Sequence, residues 1–397
     1  MKILSVNTGS SSIKFALYEM PQEHLLMKGG IERIGQSPSL VSIEVGKVKH
    51  TEKRDVAGFH EGIELLLNSL CAGPARVLEN VEQIGAIGHR VVHGGQLFER
   101  AMPVNDKTMS LVRKYAEFAP LHRDANILAI KSCQAFLPKH PNVVVFDTAL
   151  YKNLPPKAYL YGLPLEMFEK QGIRRFGFHG LSHGYVVKEA ARLIGKSLEE
   201  LRIITCHLGS GSSVTAFKNG EAVDTSMGFT PLEGLLMGTR CGDIDPGVLI
   251  YLVRHLHYDA GQLEEILDKD SGLKGLCGQS DVRDIISLAE KGDEAAGNAV
   301  DIFVYRVQKY IGAYSASLGG LDAIVFTGGI GEHSPVLRGK ILDAFGYLNV
   351  KIDEEKNLKN SEIFSAEESS VYTMTIPANE ELAIARETFE LVSRNPS

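Results

Sequence analysis

The sequence predicts an α/β protein built from two domains. Its 397 residues exceed the ~100–200 residues of a typical single domain. Segments with strand-like alternation and segments with helical periodicity follow one another along the chain. A Gly/Ser-rich turn between two strand-like segments occurs twice, in "SVNTGSSSIKFALYE" at Ser5–Glu19 and in "TCHLGSGSSVTAF" at Thr205–Phe217. Because one copy opens the chain and the other begins just past its midpoint, we expect a duplicated domain.

Alternation and periodicity locate the elements in chain order. Apolar alternation in Lys2–Asn7 and Ile13–Glu19 predicts a β-hairpin, and the second copy of the turn fits the same interpretation. The apolar run Asn142–Leu150 is typical of a buried strand, and Leu321–Phe345 has the pattern of a strand, a glycine-rich turn and a helix. Because no long Pro/Ser linker is present, we expect the two domains to pack closely across a cleft. Helical periodicity predicts helices in Glu61–Leu70, Asn126–Leu137, His183–Gly195, Val248–Leu256, Gln262–Asp270, Asp281–Gly292 and Asn298–Gly320, and a last one from about Glu380.

The composition is that of an ordinary globular protein, with 44% hydrophobic residues, 23% charged residues and a formal net charge of −7. Lys and Arg are dispersed among a larger number of Asp and Glu, which argues against a nucleic-acid partner. No apolar run approaches the ~20 residues of a membrane-spanning helix, and Ile3–Val6 is too short for the core of a signal peptide. The cysteines are odd in number and widely spaced, which is typical of free thiols, so we expect a cytoplasmic protein. They are Cys71, Cys133, Cys206, Cys241 and Cys277.

Both Gly/Ser turns have the composition of a phosphate cradle. Backbone N–H groups exposed in a tight turn, with hydroxyls beside them, form a concave site for phosphate oxygens. A plain hairpin turn is the alternative for either copy, because Gly, Ser and Asn are common in turns. Two matched turns facing one cleft suit the two ends of a triphosphate. The first cradle comprises Ser10, Ser12 and Lys14, and the second comprises Gly209, Gly211, Ser212 and Ser213.

A further glycine-rich segment narrows the kind of nucleotide site. The chain has no G-x-x-x-x-G-K-[ST] motif, which excludes a P-loop protein. "VFTGGIGEHS" at Val325–Ser334 resembles a dinucleotide fingerprint, but Ser334 replaces the third glycine and the segment lies late in the chain. We therefore favour close backbone approach to an adenosine over a Rossmann fold.

Three glycine-flanked loops carry cationic or hydrogen-bonding side chains. Arg90 lies in "GHRVVHGG", Arg240 lies in "MGTRCGDIDPG", and His179 and His183 lie in "RRFGFHGLSH". The planar guanidinium of arginine suits carboxylates and phosphates. A surface arginine or a structural histidine is the alternative for each residue alone, but three such loops together favour an anion site.

Oxygen donors end predicted strands or open a predicted helix. Asp147 in "VFDTAL" and Asn7 each end a strand, and Glu380 and Glu381 follow "IPAN". Proteins of the α/β class place functional carboxylates at such strand ends, and Mg²⁺ prefers oxygen ligands. The alternatives are a turn cap for Asp147 and, for Glu380, a helix-start charge favoured by the helix dipole.

Taken in order, these motifs resemble those of the acetate kinase family. The likeness runs from Lys2 to about Thr388 and rests on "VNTGSSSIKF", "GHRVVHGG", "FDTA", "RRFGFHGLSH", "HLGSGSS", "MGTRCGDIDPG", "DVRD", "FTGGIGEHS" and "NEELAIARET". The resemblance implies two ribonuclease-H-like domains of the actin-like ATPase kind, with a nucleotide cleft between them, and a homodimer. It places the first domain at residues 1–150 plus 382–397 and the second at residues 151–381.

The resemblance also implies roles for individual residues. Arg90 corresponds to the group that binds the small carboxylate, and Asp147 to the essential acidic residue. His179 and Arg240 correspond to the pair that stabilises the transferring phosphoryl group. Asn7 and Glu380 correspond to the ligands of Mg²⁺ or Mn²⁺. The pocket for the acyl methyl group corresponds to Val92, Leu121, Phe178 and Pro231. The residues that correspond to nucleotide contacts are Lys14, His207, Leu208, Gly209, Ser210, Gly211, Asp281, Val282, Arg283, Gly329, Ile330, Gly331, Glu332 and His333.

Four positions depart from the commoner family pattern. Ser210 stands where Asn is more usual, and Cys241 stands where Ser is. Tyr151 replaces the His that often follows "FDTA", and His333 replaces the Asn that usually completes G-E-N. None of them removes a charged catalytic group, so they bear on nucleotide preference more than on reaction type.

The resemblance implies a kinase that interconverts ATP and acetate with ADP and acetyl phosphate. In such a reaction Mg²⁺, Arg90, Arg240 and His179 surround an in-line transfer. Because a carboxylate is already a competent nucleophile, Asp147 is expected to order Mg²⁺ or its water rather than to remove a proton. Three alternatives stay open: a propionate or butyrate kinase of the same family, a pyrophosphate-using relative, and a nucleotide-gated module of the actin or chaperone type. The last has no use for an arginine pair and an apolar pocket beside the γ-phosphate.

Overall fold

A computed structural model describes all of the chain except residues 74–75, 96–100, 116–119 and 395–397, and of residues 120–123 it describes the backbone alone. The chain divides into two compact units. The first comprises Met1–Lys152 together with Asn379–Ser397, and the second comprises Asn153–Ala378. The last helix of the chain therefore belongs to the first unit.

Strands and helices are distributed over both units. The strands are β1 (Lys2–Thr8), β2 (Ser12–Glu19), β3 (His24–Glu32), β4 (Ser39–Val45), β5 (Val48–Arg54), β6 (Ile84–Val91), β7 (Ala101–Pro103), β8 (Asn142–Phe146), β9 (Ile203–Leu208), β10 (Ser212–Lys218), β11 (Glu221–Thr225), β12 (Ala323–Thr327) and β13 (Tyr372–Thr375). The helices are α1 (Phe59–Cys71), α2 (Asp106–Tyr115), α3 (Pro120–Phe136), α4 (Pro156–Tyr159), α5 (Leu165–Gln171), α6 (Gly180–Ile194), α7 (Pro246–Leu256), α8 (Ala260–Asp268), α9 (Gly272–Cys277), α10 (Val282–Glu290), α11 (Glu294–Leu318), α12 (Gly328–His333), α13 (Pro335–Leu342), α14 (Glu354–Leu358) and α15 (Glu380–Arg394).

The first unit is built on a mixed sheet in the order β5-β4-β3-β2-β1-β6-β8-β7. β1, β2 and β3 form an antiparallel meander, and β6 and β8 run parallel to β1. One face packs on α1 and α3, where Leu4 and Val6 of β1 share a core with Ile63 of α1. Successive side chains of a strand alternate between the two faces of the sheet. The face of β6 on which Gly88 and Arg90 lie is therefore the one opposite α1 and α3, and α15 packs on it.

The second unit repeats this topology on a smaller sheet, in the order β11-β10-β9-β12-β13. β9, β10 and β11 form the antiparallel meander, and β12 and β13 run parallel to β9. Order and direction match those of β3-β2-β1-β6-β8, so the predicted duplication is confirmed and each copy has the five-strand order of a ribonuclease-H-like domain. The core forms where α11 packs on β9 and β10, with Phe303 and Val307 beside Val214.

The helices predicted from periodicity coincide with α1, α3, α6, α7, α8, α10, α11 and α15, and both hairpins are present. The strands β3, β4, β5, β6, β7, β11 and β13 were not predicted. The loop expected around Arg90 was wrong, because Arg90 lies in β6, where its neighbours pair with β1 and β8. β5, "VKHTEKR", is exposed along its whole length, so it lacks the apolar alternation by which a strand is recognised. Within the described ranges, no helix combines the length and the apolar character needed to cross a membrane.

Candidate active site

Three of the predicted residues meet at one edge of the first sheet. Asn7 lies near the end of β1, Arg90 lies near the end of β6, and Asp147 directly follows β8. Because these strands are adjacent and parallel, their carboxyl ends share an edge, where α/β proteins place functional side chains. The Arg90 guanidinium donates to Asp147 Oδ2 at 3.0 Å and to Asn7 Oδ1 at 3.5 Å.

The first turn of α15 brings Glu380 and Glu381 to the same edge. The Asn7 amide donates to Glu380 Oε2 at 2.9 Å and to Glu381 Oε1 at 3.3 Å. The helix approaches β6 this closely because Gly88 has no side chain, since a Cβ there would lie 2.2 Å from Thr388 Oγ1. Two residues 373 positions apart, Asn7 and Glu380, are therefore in contact, which the metal-site hypothesis requires.

Three carboxylates face the guanidinium of Arg90. Burial disfavours the Arg90 cation, but the charges of Asp147, Glu380 and Glu381 outweigh burial, so the pKa of Arg90 is raised. Burial, together with the charge of Glu380, raises the pKa of Glu381. The buried Nε of Arg90 has no hydrogen-bond acceptor among the described residues, and Glu380 Oε2 lies 3.9 Å away. The cluster thus offers an N–H donor to an anion and an excess of carboxylate to a cation.

The donor set at this edge suits a hard cation. Carboxylate and amide oxygens are ligands that Mg²⁺ prefers, so Asp147, Glu380 and Asn7 Oδ1 fit it. In the part of the chain that the structure describes, no three His, Cys, Asp or Glu side chains form a preformed metal cage. Such a partial set fits an ion that keeps several waters and binds together with nucleotide phosphates.

The second unit brings His179 and Arg240 together at the Gly209–Gly211 turn. His179 precedes α6 and holds a left-handed backbone conformation, with φ 55° and ψ 28°, which costs a non-glycine residue about 1–3 kcal/mol. A Cβ on Gly211 would lie 3.3 Å from His179 Nε2 and 3.5 Å from Arg240 Nη1. Glycine at this position therefore leaves open the space on which the two donors converge.

Buried polar side chains lie behind His179. Ser213 Oγ lies 2.9 Å from His179 Nδ1 and 2.7 Å from His183 Nε2. The other ring nitrogen of His183 lies 2.6 Å from Thr205 Oγ1, and the His207 ring stacks on His179 with the centroids 4.2 Å apart. Burial, reinforced by His207, lowers the pKa of His183 well below its usual value. His183 is therefore a neutral imidazole at physiological pH.

Arg240 lies in a loop that partly buried ion pairs hold in place. Arg240 Nη1 donates to the Pro231 carbonyl oxygen at 3.4 Å, and its Nε lies 3.5 Å from the Asp268 carboxylate. Burial lowers the pKa of Arg240, against the opposing charge of Asp268. Arg175, paired with Glu233, donates to three consecutive backbone carbonyl oxygens where the loop begins. The guanidinium of Arg240 is thus oriented from both sides.

The segment predicted to contact adenosine forms the short helix α12. Its first residue, Gly328, has φ 77°. The Glu332 carboxylate accepts from the Gly328 N–H at 2.9 Å and from the Ala378 N–H at 3.0 Å. Arg338 is fully buried and donates to two carbonyl oxygens at the end of the helix, at 2.8 and 3.0 Å. The Glu332 carboxylate therefore ties the start of α12 to the Ala378 backbone, although Glu332 is itself a residue of α12.

The other predicted nucleotide residues lie in turns or at helix starts. Asp281 caps α10 and forms an ion pair with Arg283, and the hydrogen bond from Arg283 lowers the pKa of Asp281 to about 2. The structure corrects the cradle interpretation for Ser212 and Ser213, because both are fully buried at the start of β10 and bond within the unit. Six of the predicted nucleotide-binding residues are exposed: Ser10, Lys14, Ser210, Arg283, Gly329 and His333. Seven are partly buried: Ser12, His207, Gly209, Gly211, Asp281, Ile330 and Glu332. The buried ones are Leu208, Val282 and Gly331.

The residues predicted for the acyl pocket are divided between the two units. Val92, in the first unit, directly follows β6, is buried, and donates its N–H to Asn126 Oδ1 at 3.4 Å. The side chain of Leu121 lies outside the described residues. Phe178 is buried and Pro231 is partly buried in the second unit. The common pocket stays a prediction.

Comparison with known proteins decides the family. The profile of the acetokinase family matches residues 2–386. The chain belongs to the acetokinase family. Curated relatives agree over their full length: the acetate kinase of Clostridium novyi (strain NT) is 46% identical, over 100% of this chain and 99% of the relative, and that of Carboxydothermus hydrogenoformans is 48% identical, over 99% of each chain.

Solved structures place the fold in the same family. The crystal structure of Porphyromonas gingivalis acetate kinase matches with a TM-score of 0.91 and 38% identity, covering 98% of this chain and 99% of that one. A propionate kinase from Francisella tularensis matches with the same TM-score, identity and coverage. The predicted α/β fold is confirmed, and so is the acetokinase resemblance.

Motif comparison within the family missed part of the site. His183 was predicted to contribute with His179 to an anion site, but it is fully buried behind His179 and contacts Ser213 instead. Thr205 was not predicted to belong to the site. Glu381 was named only as a neighbour of Glu380. Thr205 carries no sequence signal, because it lies inside the buried strand β9 and meets His183 only through packing on α6.

Proposed function

We propose that this protein catalyses the reversible, Mg²⁺-dependent transfer of the γ-phosphoryl group of ATP to acetate, giving ADP and acetyl phosphate. The full-length similarity to acetate kinases supports the proposal. The observation that carries it is the setting of Arg90, a largely buried cation that Asp147 orients and whose buried Nε is left without an acceptor in the described structure. A small carboxylate needs such a donor, and Asn7 and Glu380 provide oxygen ligands at the same edge.

Each residue of the first cluster has a separate task in this proposal. Glu380, Asp147 and Asn7 would hold Mg²⁺, which would neutralise part of the phosphate charge when bound. Arg90 binds the acetate carboxylate, and its ion pair with Asp147 fixes the direction from which the carboxylate attacks. Asn7 holds the Glu380 carboxylate through its amide N–H.

The second unit stabilises the group in transfer. The acetate oxygen attacks the γ-phosphorus in line with the departing ADP oxygen, and negative charge spreads over the equatorial phosphoryl oxygens. His179 Nε2 and the Arg240 guanidinium donate to these oxygens. A donor of this kind contributes about 2.7–4 kcal/mol to the stability of a transition state. No base is needed, because the acetate carboxylate is already ionised at neutral pH.

One assay tests the reaction and its alternatives together. Hydroxylamine traps acyl phosphate as a hydroxamate, which is detected by the colour of its iron(III) complex. The purified protein is supplied with acetate, propionate, butyrate or no acid, each with ATP and with pyrophosphate. We expect product with ATP and acetate. ATP hydrolysis without acyl phosphate supports the nucleotide-gated alternative, and product with pyrophosphate supports the pyrophosphate-using relative.

Propionate is the second candidate acceptor. The Francisella propionate kinase matches this chain with the same TM-score and identity as the Porphyromonas acetate kinase, so overall similarity does not separate the two acids. The kcat/KM ratio for acetate and propionate in the same assay decides between them.

We also propose that the protein is a cytoplasmic homodimer that pairs through α7. This apolar helix buries no residue within the chain, and Ile250, Tyr251 and Leu256 are each more than half exposed. An apolar face of this kind fits a second copy of the chain. The five free thiols fit a reducing compartment.

Light scattering of two variants tests the dimer. Tyr251→Glu should convert the dimer to a monomer, whereas Leu358→Glu, at an exposed leucine on α14, should leave the dimer intact. A parent protein that is itself monomeric contradicts the proposal.

A further inference from the structure

A hydrogen-bonded line of four side chains ends at His179. Thr205 on β9 contacts His183 on α6, His183 contacts Ser213 on β10, and Ser213 contacts His179 before α6, at 2.6, 2.7 and 2.9 Å. Thr205, His183 and Ser213 have no exposed surface. Three different elements of the second unit thus fix the Nδ1 side of the His179 ring.

The direction of the hydrogen bonds follows from the Thr205 hydroxyl. Its O–H has two acceptors within reach, His183 Nδ1 at 2.6 Å and the Thr215 carbonyl oxygen at 3.5 Å. We assign Thr205 as the donor in the shorter contact; the opposite assignment, with Thr205 donating to Thr215 and accepting from His183, reverses every bond of the line and puts the His179 proton on Nδ1. With Thr205 donating to Nδ1, neutral His183 carries its proton on Nε2 and donates to Ser213 Oγ. The Ser213 O–H is then directed to His179 Nδ1.

The charges beside His179 bear on whether its ring is neutral, rather than on which nitrogen carries the proton. The titratable or charged groups that the described contacts place beside its ring include His183, the stacked His207 and Arg240, which is itself paired with Asp268. Arg240 Nη1 and His179 Nε2 converge on the Gly211 turn. A fixed guanidinium at this position disfavours a second positive charge on the imidazole.

We infer that Ser213 and His183 are positioning residues that keep His179 neutral and place its single proton on Nε2. The ring then offers an N–H donor to the phosphoryl oxygens without an added charge, and it does so at alkaline as well as at neutral pH. The inference rests on the proposed role of His179 in transfer. It adds two residues, and a defined tautomer, to that role.

Nitrogen NMR of protein labelled with ¹⁵N-histidine tests the tautomer directly. The His179 signals are identified by their loss in His179→Gln, and the parent protein is measured at pH 7.5. We expect a protonated Nε2 and a bare Nδ1. A cationic ring, or the proton on Nδ1, overturns the inference. This readout does not depend on turnover, so it is separate from a failure of the proposed function, in which the parent protein makes no acetyl phosphate.

Kinetics of Ser213→Ala test the positioning role. We expect kcat to fall roughly 10- to 100-fold, the range for losing the partner that orients a metal-bound histidine, with the ATP KM close to that of the parent protein. The loss of kcat in Ser213→Ala should be smaller at pH 6 than at pH 8. At the lower pH the His179 ring can take a second proton, and a doubly protonated ring carries an N–H on Nε2 again. Ser213→Thr keeps the hydroxyl and should recover most of the rate.

Ser315→Ala is the matched control, because it removes a buried serine hydroxyl of the same unit that donates to the Gly312 carbonyl oxygen within α11. It should leave kcat and its pH profile unchanged. An equal loss for Ser213→Ala at both pH values, or no recovery in Ser213→Thr, means that Ser213 is merely structural and overturns the inference. If Ser213→Ala does not fold, the tautomer of the parent protein still decides.

Discussion

Arg90 and Asp147 form a buried ion pair across the neighbouring strands β6 and β8, with Nη2 and Oδ2 3.0 Å apart and no exposed surface on the Asp147 side chain. The pair fixes the guanidinium and leaves its Nε without an acceptor among the described residues, and in the proposed reaction this N–H binds the substrate carboxylate. Removing Arg90 therefore removes a binding group and also leaves a buried carboxylate uncompensated, which costs about 3–5 kcal/mol of stability.

Arg90→Ala should raise the acetate KM and lower kcat/KM, and Arg90→Lys should recover only part of the loss, because an ammonium lacks the planar fork. Hydroxamate kinetics on folded protein measure both constants. Arg54→Ala, at an exposed arginine of β5, is the control. A lysine variant indistinguishable from the parent protein contradicts the fork-like recognition.

Arg240→Ala should lower kcat by roughly 10²–10³, the effect of losing one oxyanion-type donor. The ATP KM should barely change, because the proposed contact forms in the transition state. Arg283→Ala is the matched control, since that exposed guanidinium lies in the predicted nucleotide segment and is paired with Asp281. It should affect the ATP KM rather than kcat. Turnover of Arg240→Ala equal to that of the parent protein would falsify the assignment.

Glu380→Ala should raise the Mg²⁺ concentration needed for half-maximal rate, because one oxygen ligand and the partner of the Asn7 amide are lost together. Titration of the rate with Mg²⁺ at saturating ATP measures the effect, and circular dichroism checks the fold. Glu390→Ala, in the same helix but exposed and paired with Arg394, should show no shift. An unchanged Mg²⁺ requirement leaves Glu380 as a helix-start charge.

Val92→Ala should raise kcat/KM for propionate and butyrate relative to acetate. The side chain is buried directly after the strand that carries Arg90, so removing its two methyl groups enlarges the space beside the bound acid. One methylene in a tight pocket is worth about 1–3 kcal/mol, so the parent protein should prefer acetate over propionate by roughly 10- to 200-fold at most. The ATP KM should stay near its original value. An unaltered acid preference excludes Val92 from the pocket.

Stability should fall as the pH drops from about 6.5 toward 4. Burial lowers the pKa of His89 to about 4, although the hydrogen bond to Asn142 opposes the shift. The His89 side chain binds a proton near pH 6.5 in the unfolded chain but only near pH 4 in the folded chain. Between these pH values the unfolded state therefore binds more protons and is favoured. At pH 5 this one group costs about 2 kcal/mol.

Urea unfolding at pH 7 and pH 5 measures this loss. His89→Gln removes the titrating group, so the difference in unfolding free energy between the two pH values should shrink. His24→Gln, at an exposed position, is the control. The same difference in parent protein and His89→Gln would show that His89 is not the group responsible.

The amino-acid sequence by itself determined the features that depend on local pattern. The two Gly/Ser hairpins, the amphipathic helices and the buried strand before Asp147 follow from alternation and periodicity over a few residues. The ordered motifs identified the family from end to end. β5 could not be predicted in this way, because a strand exposed on both faces has no apolar period.

Only the tertiary structure decided which distant side chains touch. Asn7 meets Glu380 because α15 packs on β1 and β6 and approaches closely at Gly88 of β6, and no pattern within either segment encodes that contact. Ser213 has the composition of a phosphate-binding turn, yet pairing of β10 with β9 buries it against His183. The physical reason is that hydrogen bonding and burial of a side chain depend on what packs against it, which is set by strand order and helix placement rather than by neighbouring residues.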